Sequence, residues 1–360
     1  MFDALPLTAL FAIFAGAAGA VWVSGIKLSN TTDILATRFG LGQALGGVIL
    51  LAIATNLPEI AITISAAASN NIGVAVGNIL GGIAIQTVVL VILDAFGMRE
   101  NVPLMYKAAS LTLVIEGLLV VAVLIVSIMG AQMPASLIAA RLTPVAVLIA
   151  VIWLVGVWLI GVANRGLPWH DTTGDAPDTQ GKPKGHSRSE TNDDASRRGV
   201  GTAKTVFVFV AAAVVTLVAG VVLERCGDAI AKHIGMTGVL FGATVLAAAT
   251  SLPEVSTGLA SAKAGDYQLA VSDIFGGNAF LPVLFLLATV VSGKAVLPQA
   301  QKTDIYLAGL GVLLTSVYLA GLIFRPKRKV LGMGVDSLTV LVLYLVGTCG
   351  LIAIALSHEG

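Results

Sequence analysis

Charge is scarce in this sequence. Asp, Glu, Lys and Arg make up 11% of its 360 residues, and 21 basic side chains nearly balance 20 acidic ones. No basic cluster interleaves with aromatics, so nucleic acid is not expected as a partner. Cysteine is almost missing. Cys226 and Cys349 lie in or at the end of apolar runs without CxxC or histidine spacing, which assigns them to packing rather than to metal or redox chemistry. His170, His186, His233 and His358 have no nucleophile or metal spacing around them, so no constellation for enzyme chemistry is present. The first apolar run lacks a basic leader and a small-residue cleavage pattern, and is expected to remain as a span rather than be removed as a signal peptide.

Apolar residues are abundant instead. The chain is 57% hydrophobic with 40 glycines and a mean hydropathy of +0.94, the composition of an integral membrane protein. A crossing needs about 20 mostly apolar residues. Ten such segments are centred roughly on residues 5–26, 43–68, 72–96, 108–130, 142–164, 204–225, 238–263, 268–293, 303–324 and 335–357. The expected fold is an all-α membrane protein of ten transmembrane helices, with five in residues 1–164 and five in 204–360. Residues 165–203, rich in Gly, Pro, Ser, Thr, Asp and Lys, read as a disordered linker. Placing the N-terminus outside puts 16 of the 21 Lys and Arg, including Arg325, Lys327, Arg328 and Lys329, on the linker side, which makes that side cytoplasmic.

Two segments break the apolar monotony in the same way. "ATNLPEI" holds Pro58 and Glu59, and "ATSLPEV" holds Pro253 and Glu254. An offset of 195 residues aligns Thr55 with Thr250, Pro58 with Pro253, Glu59 with Glu254, Gly81 with Gly276 and Gly82 with Gly277 without a gap. It also pairs Gly25 with Gly220, Asp33 with Asp228, Gly40 with Gly235 and Gly47 with Gly242. The halves therefore read as copies of one five-helix unit, and an odd number of crossings inverts the second copy. Proline cannot donate to the carbonyl four residues back, so each break frees a carbonyl, at Ala54 and Ala249, beside a carboxylate. Freed carbonyls, threonine hydroxyls and glutamates are the oxygen ligands a hard cation wants. The alternative is a kinked helix whose glutamate is hydrogen-bonded inside the bundle.

A second element follows each break by 19 residues: "GNILGGIAIQ" from Gly77 and "SDIFGGNAFL" from Ser272, with Asn78 matched to Asp273. Glu116 is a lone mid-span carboxylate whose counterpart is Gly311; it reads as a proton or accessory site, or as a paired structural acid. "GLGQALGG" at 40–47 follows no strand and reads as helix packing rather than nucleotide binding.

The paired segments resemble the alpha repeats of the cation/calcium exchanger superfamily, in its prokaryotic sodium/calcium exchanger branch. The resemblance implies an antiporter that exchanges calcium for sodium by alternating access. It assigns Glu59 and Glu254 to a central site, with Thr55, Asn56, Thr250 and Ser251 on the breaks beside them; Asn78, Asp273 and Gln86 of the second elements are further candidate ligands. Proton- or potassium-coupled exchange on the same scaffold, and a passive cation channel, are the alternatives. The family's second element carries serine where this chain has Gly82 and Gly277, asparagine where it has Ile83, and asparagine or aspartate where it has Gln86 and Leu281. Sodium coupling is accordingly expected to be weaker than in the family, and Asp273 is a candidate to restore a carboxylate or to carry a proton. The transported cations, Ca2+ and Na+, are expected to be the only small-molecule partners, with no cofactor. A monomer in a lipid surround, in the inner membrane of a bacterium, completes the expectation.

Overall fold

The computed structural model describes residues 2–38, 51–163 and 201–356. The linker expectation falls almost wholly outside these residues, as do Gly40 and Gly47. After a short 3-10 turn at Phe2–Ala4, the chain builds α1 (Leu7–Arg38), α2 (Leu51–Thr55), α3 (Leu57–Ala68), α4 (Ile72–Phe96), α5 (Leu104–Ala108), α6 (Leu111–Ala131) and α7 (Pro144–Ala163). Beyond the linker come α8 (Thr202–Ile234), α9 (Gly238–Phe241), a π segment (Gly242–Leu246), α10 (Ala247–Thr250), α11 (Leu252–Ala264) and α12 (Tyr267–Phe280). The chain ends with α13 (Leu284–Ser292), α14 (Lys302–Phe324), a hairpin of β1 (Lys329–Val330) and β2 (Met333–Gly334), and α15 (Val335–Leu356).

The described residues contain 8 helical spans long and apolar enough to cross a membrane, and the chain is a multi-pass all-α membrane protein. In hydrocarbon the backbone must satisfy its own hydrogen bonds, which only helices do within one segment. Burial sorts the spans. In Ile72–Phe96, 72% of the apolar window is enclosed, against 28% in Thr202–Ile234 and 22% in Val335–Leu356, so α4 is central while α8 and α15 turn apolar faces outward. Phe207, Val214 and Val218 on α8 and Val342, Leu345 and Val346 on α15 are exposed in this way.

Two apolar cores result. One joins α4, α6, α7, α12 and α14; the other joins α1, α8 and parts of α3 and α4. Several helices outrun their apolar windows. α1 continues through "KLSNTTDILATR" to Arg38, and α8 runs from Thr202 to Ile234. At 1.5 Å per residue each is about 50 Å long, so it must tilt or project beyond a hydrocarbon core of about 30 Å. The polar turns belong to the helix because α1 and α8 pack against one another along their length, which hydropathy alone does not register.

The offset of 195 seen in sequence also exchanges contacts. A Cβ on Gly25 would meet Pro253 Cβ and Cγ at 2.6 Å, while a Cβ on Gly220 would meet Ala61 Cβ at 2.8 Å and the Pro58 carbonyl oxygen at 3.1 Å. Each long helix thus uses its glycine to lie against the proline break of the other half.

At one end of the bundle, Asp94 fastens three elements. Its Oδ1 accepts from the Leu104 N–H at 2.8 Å and its Oδ2 from the Gly334 N–H at 2.6 Å, tying α4 to α5 and to the hairpin.

Candidate cation site

Both broken segments do interrupt their helices. α2 stops at Thr55 and α10 at Thr250; Asn56 (φ −89, ψ 16) and Ser251 (φ −82, ψ 1) then take non-helical backbone before α3 and α11 begin. Proline occupies the second position of each new helix, where its missing N–H leaves no bond unmade. Glu59 and Glu254 fall one residue later, in the first turn, where the helix N-terminus favours an anion.

Every site residue named from the sequence is buried: Thr55, Asn56, Glu59, Asn78, Gln86, Thr250, Ser251, Glu254 and Asp273. The two halves meet at these side chains. The Thr250 hydroxyl stands beside Glu59 while donating to the Ala247 carbonyl at 3.1 Å, and Glu254 lies in the field of both Glu59 and Asp273. Asp273 Oδ2 accepts from the Thr257 hydroxyl at 3.3 Å. Sequence reasoning passed over Thr257; its place three residues after Glu254, on the same helix face, is the signal that would have found it.

Among the described residues, no Lys or Arg forms an ion pair with Glu59 or Glu254; basic side chains pair elsewhere, as Lys107 with Glu100, Arg225 with Glu224 and Lys232 with Asp228. A group of orphaned polar atoms belongs to the helices that follow the two breaks and to the second elements. Both carboxylate oxygens of Glu59 and of Glu254, both amide atoms of Asn78 and of Gln86, Asn278 Oδ1 and Thr63 Oγ1 are buried without a well-formed hydrogen bond among the described residues. Protein interiors pair over about nine in ten such groups. Carboxylate, amide and hydroxyl oxygens in this number suit a hard cation, which supplies the positive charge the protein withholds.

The glycine pairs divide their work. A Cβ at Gly81 would collide with Ala243 Cα, and one at Gly242 would come within 3.1 Å of Asn78 N and Val74 O, so these glycines let α4 and the π segment touch backbone to backbone. Gly82 and Gly277 face flanking niches instead. A Cβ at Gly82 would lie 3.4 Å from Leu281 Cδ1; one at Gly277 would lie 3.3 Å from Asn56 Nδ2 and 3.5 Å from Gln86 Oε1. Four of the five positions where the chain departs from the family pattern thus stand as two pairs, Gly82 with Leu281 and Gly277 with Gln86. Across the same region Asn278 Nδ2 donates to the Thr87 hydroxyl at 3.2 Å.

Comparison with known proteins is consistent with this arrangement. Residues 9–163 and 204–353 match the model of the family described as "Sodium/calcium exchanger protein". Among curated proteins, a candidate antiporter, CaxA of Alkalimonas amylolytica, is 35% identical over 97 residues, and the inner membrane protein YrbG of Escherichia coli K12 is 31% identical over 110. These alignments take in 26% and 30% of this chain and only 30% and 32% of the two relatives. Among solved structures, the H+/Ca2+ exchanger CAX superposes with a TM-score of 0.64 at 12% identity, over 97% of this chain and 87% of its own. The sodium-calcium exchanger NCX_Mj superposes with a TM-score of 0.58 at 15% identity, over 96% and 99%. At such identities the likeness is one of fold.

Proposed function

The chain belongs to the sodium/calcium exchanger protein family, and on that premise we propose that it is a secondary antiporter binding calcium between Glu59 and Glu254 and exchanging it for monovalent cations. The observation that carries the reading is the meeting, across the two halves, of the buried carboxylates of Glu59 and Glu254, neither of which pairs with a cationic side chain among the described residues. Two glutamates balance one divalent ion. Thr55, Asn56, Thr250, Ser251, Asn78, Asp273 and Gln86 complete the oxygen shell.

The scaffold for this activity is ten crossings arranged as two inverted five-helix repeats. In it α2 with α3, and the run α9 to α11, are the second helix of each repeat. The exchanged contacts of Gly25 with Pro253 and Gly220 with Pro58 support that symmetry. Alternating access uses the two separate cores, the one holding α1 and α8 moving past the other. The N-terminus lies outside and the linker of 165–203 in the cytoplasm of a bacterial inner membrane. The protein works as a monomer among lipids, needs no cofactor and makes or breaks no covalent bond.

Sodium is the counter-ion the family suggests. Protons are a second reading, favoured by the contact between Gly82 and Leu281, which places hydrocarbon where the family offers two oxygen ligands. Reconstitution separates antiport from a channel. Calcium-45 uptake into vesicles should require sodium, protons or unlabelled calcium leaving the lumen. Equal uptake with no counter-moving ion would make the protein a channel.

A further inference from the structure

Glu116 takes no part in the site above, yet it is placed with care. It is the single ionisable residue of α6, with 3% of its surface exposed. The Ser272 hydroxyl donates to its Oε1 at 3.0 Å, and its Oε2 is buried without a hydrogen-bond partner among the described residues. The offset of 195 carries Glu116 to Gly311 and Ser272 to Gly77. Both members of the pair are therefore glycine in the other repeat. The seam around it is apolar: a Cβ on Gly117, the next residue, would meet Leu319 Cδ2 at 2.7 Å and a Phe275 ring carbon at 3.2 Å.

The elements packed against α6 set what could neutralise this acid. α7 and the 3-10 turns at Leu281–Val283 and Leu297–Gln299 carry no ionisable side chain. α12 carries Tyr267 and Asp273, and α14 carries Lys302, Asp304, Tyr306 and Tyr318. Among the described residues Ser272 alone hydrogen-bonds Glu116, and no cationic side chain pairs with it. An intramembrane carboxylate left charged costs several kcal/mol, and such acids face a partner or an ion path. A metal cation of the hard class asks for about six or more oxygens. Glu116 and Ser272 offer three. A proton asks for one.

We propose that Glu116 Oε2 is a proton-binding position built into one repeat only, and that its proton is a counter-ion of the exchange. An O–H bond forms at Oε2 when a proton enters from one face and breaks when it leaves to the other, while Ser272 keeps donating to Oε1. Ser272 is covalently next to Asp273, whose carboxylate acts on Glu254, so α12 senses at its two faces both the proton and the calcium site. The inference rests on the antiport reading and names its counter-ion.

The test uses the full chain in vesicles at clamped membrane potential, with a lumenal pH dye and calcium-45. Wild type should move protons opposite to calcium. Glu116→Gln, which keeps size and an acceptor for Ser272, should lose about tenfold or more of the proton movement while calcium-45 exchange against unlabelled calcium stays within about twofold. Glu116→Asp should restore proton movement in part. Proton movement undiminished in Glu116→Gln would overturn the proposal. So would wild type that exchanges calcium with no proton movement, a result that needs no variant to fold. If wild type fails even calcium-for-calcium exchange, the antiport reading itself has failed.

Discussion

The niches that Gly82 and Gly277 face occupy positions matched by the 195-residue offset and differ in character. At one, Gly82 of α4 faces Leu281, which a Cβ there would just reach; at the other, Gly277 of α12 faces the amides of Asn56 and Gln86. The same backbone device, a glycine aimed at the other half of the chain, closes one side with hydrocarbon and leaves the other polar. Local chain chemistry reinforces the difference. Pro282 follows Leu281 and turns the chain through a 3-10 segment, whereas its counterpart Thr87 continues α4 as helix and donates to the Ile83 carbonyl at 2.7 Å. Scaffold symmetry and chemical symmetry are separable. The matched glycines, with Pro58 and Pro253, maintain the first, and the side chains set the second.

The strongest way to break the contrast is to make the closed niche polar. Gly82→Ser with Leu281→Asp gives both sides of this niche an oxygen, and sodium-driven calcium-45 exchange should rise about tenfold over wild type. No gain in sodium dependence would mean that Leu281 is not what excludes the ion. The converse change, Gln86→Leu, makes the polar niche resemble the closed one and should lower monovalent-cation affinity about threefold to tenfold, read as the half-saturating concentration at constant maximal rate.

Smaller effects test the scaffold. Gly25→Val and Gly220→Val both force a side chain into a proline break, and each should cost about 1–3 kcal/mol, seen as a matched fall in Tm. A fall in only one of them would break the reciprocity between the long helices. Smallest is Lys294→Ala. It removes an exposed bond to Asn70 Oδ1 at 2.6 Å and should leave Tm unchanged, within about 0.5 kcal/mol.

Much of this was legible before any coordinates. The apolar runs fixed the class of fold, and the duplicated Pro-Glu pairs located both helix breaks to within two residues, because proline is at home in the first turn of a helix and marks where a new one starts. Helix lengths were not legible. The polar turns of α1 to Arg38 and of α8 to Ile234 are held by packing between the helices, and hydropathy does not see packing. The offset placed the candidate ligands in corresponding positions. It gave no sign that Gly82 would face Leu281 and Gly277 would face Gln86, since those approaches join opposite halves of the chain. Glu116 was visible as a carboxylate without a counterpart, but its bond to Ser272 spans 156 residues and only folding reveals it.

Equilibrium binding of calcium-45 to the purified, folded protein tests the two-glutamate site most directly, because it needs neither a counter-ion nor a sidedness. Wild type should bind calcium saturably, while Glu59→Gln and Glu254→Gln, each at unchanged size, should weaken binding by about a hundredfold or more and to similar extents, as loss of one of two charges facing a divalent ion requires. Wild-type affinity in either folded variant would contradict the account.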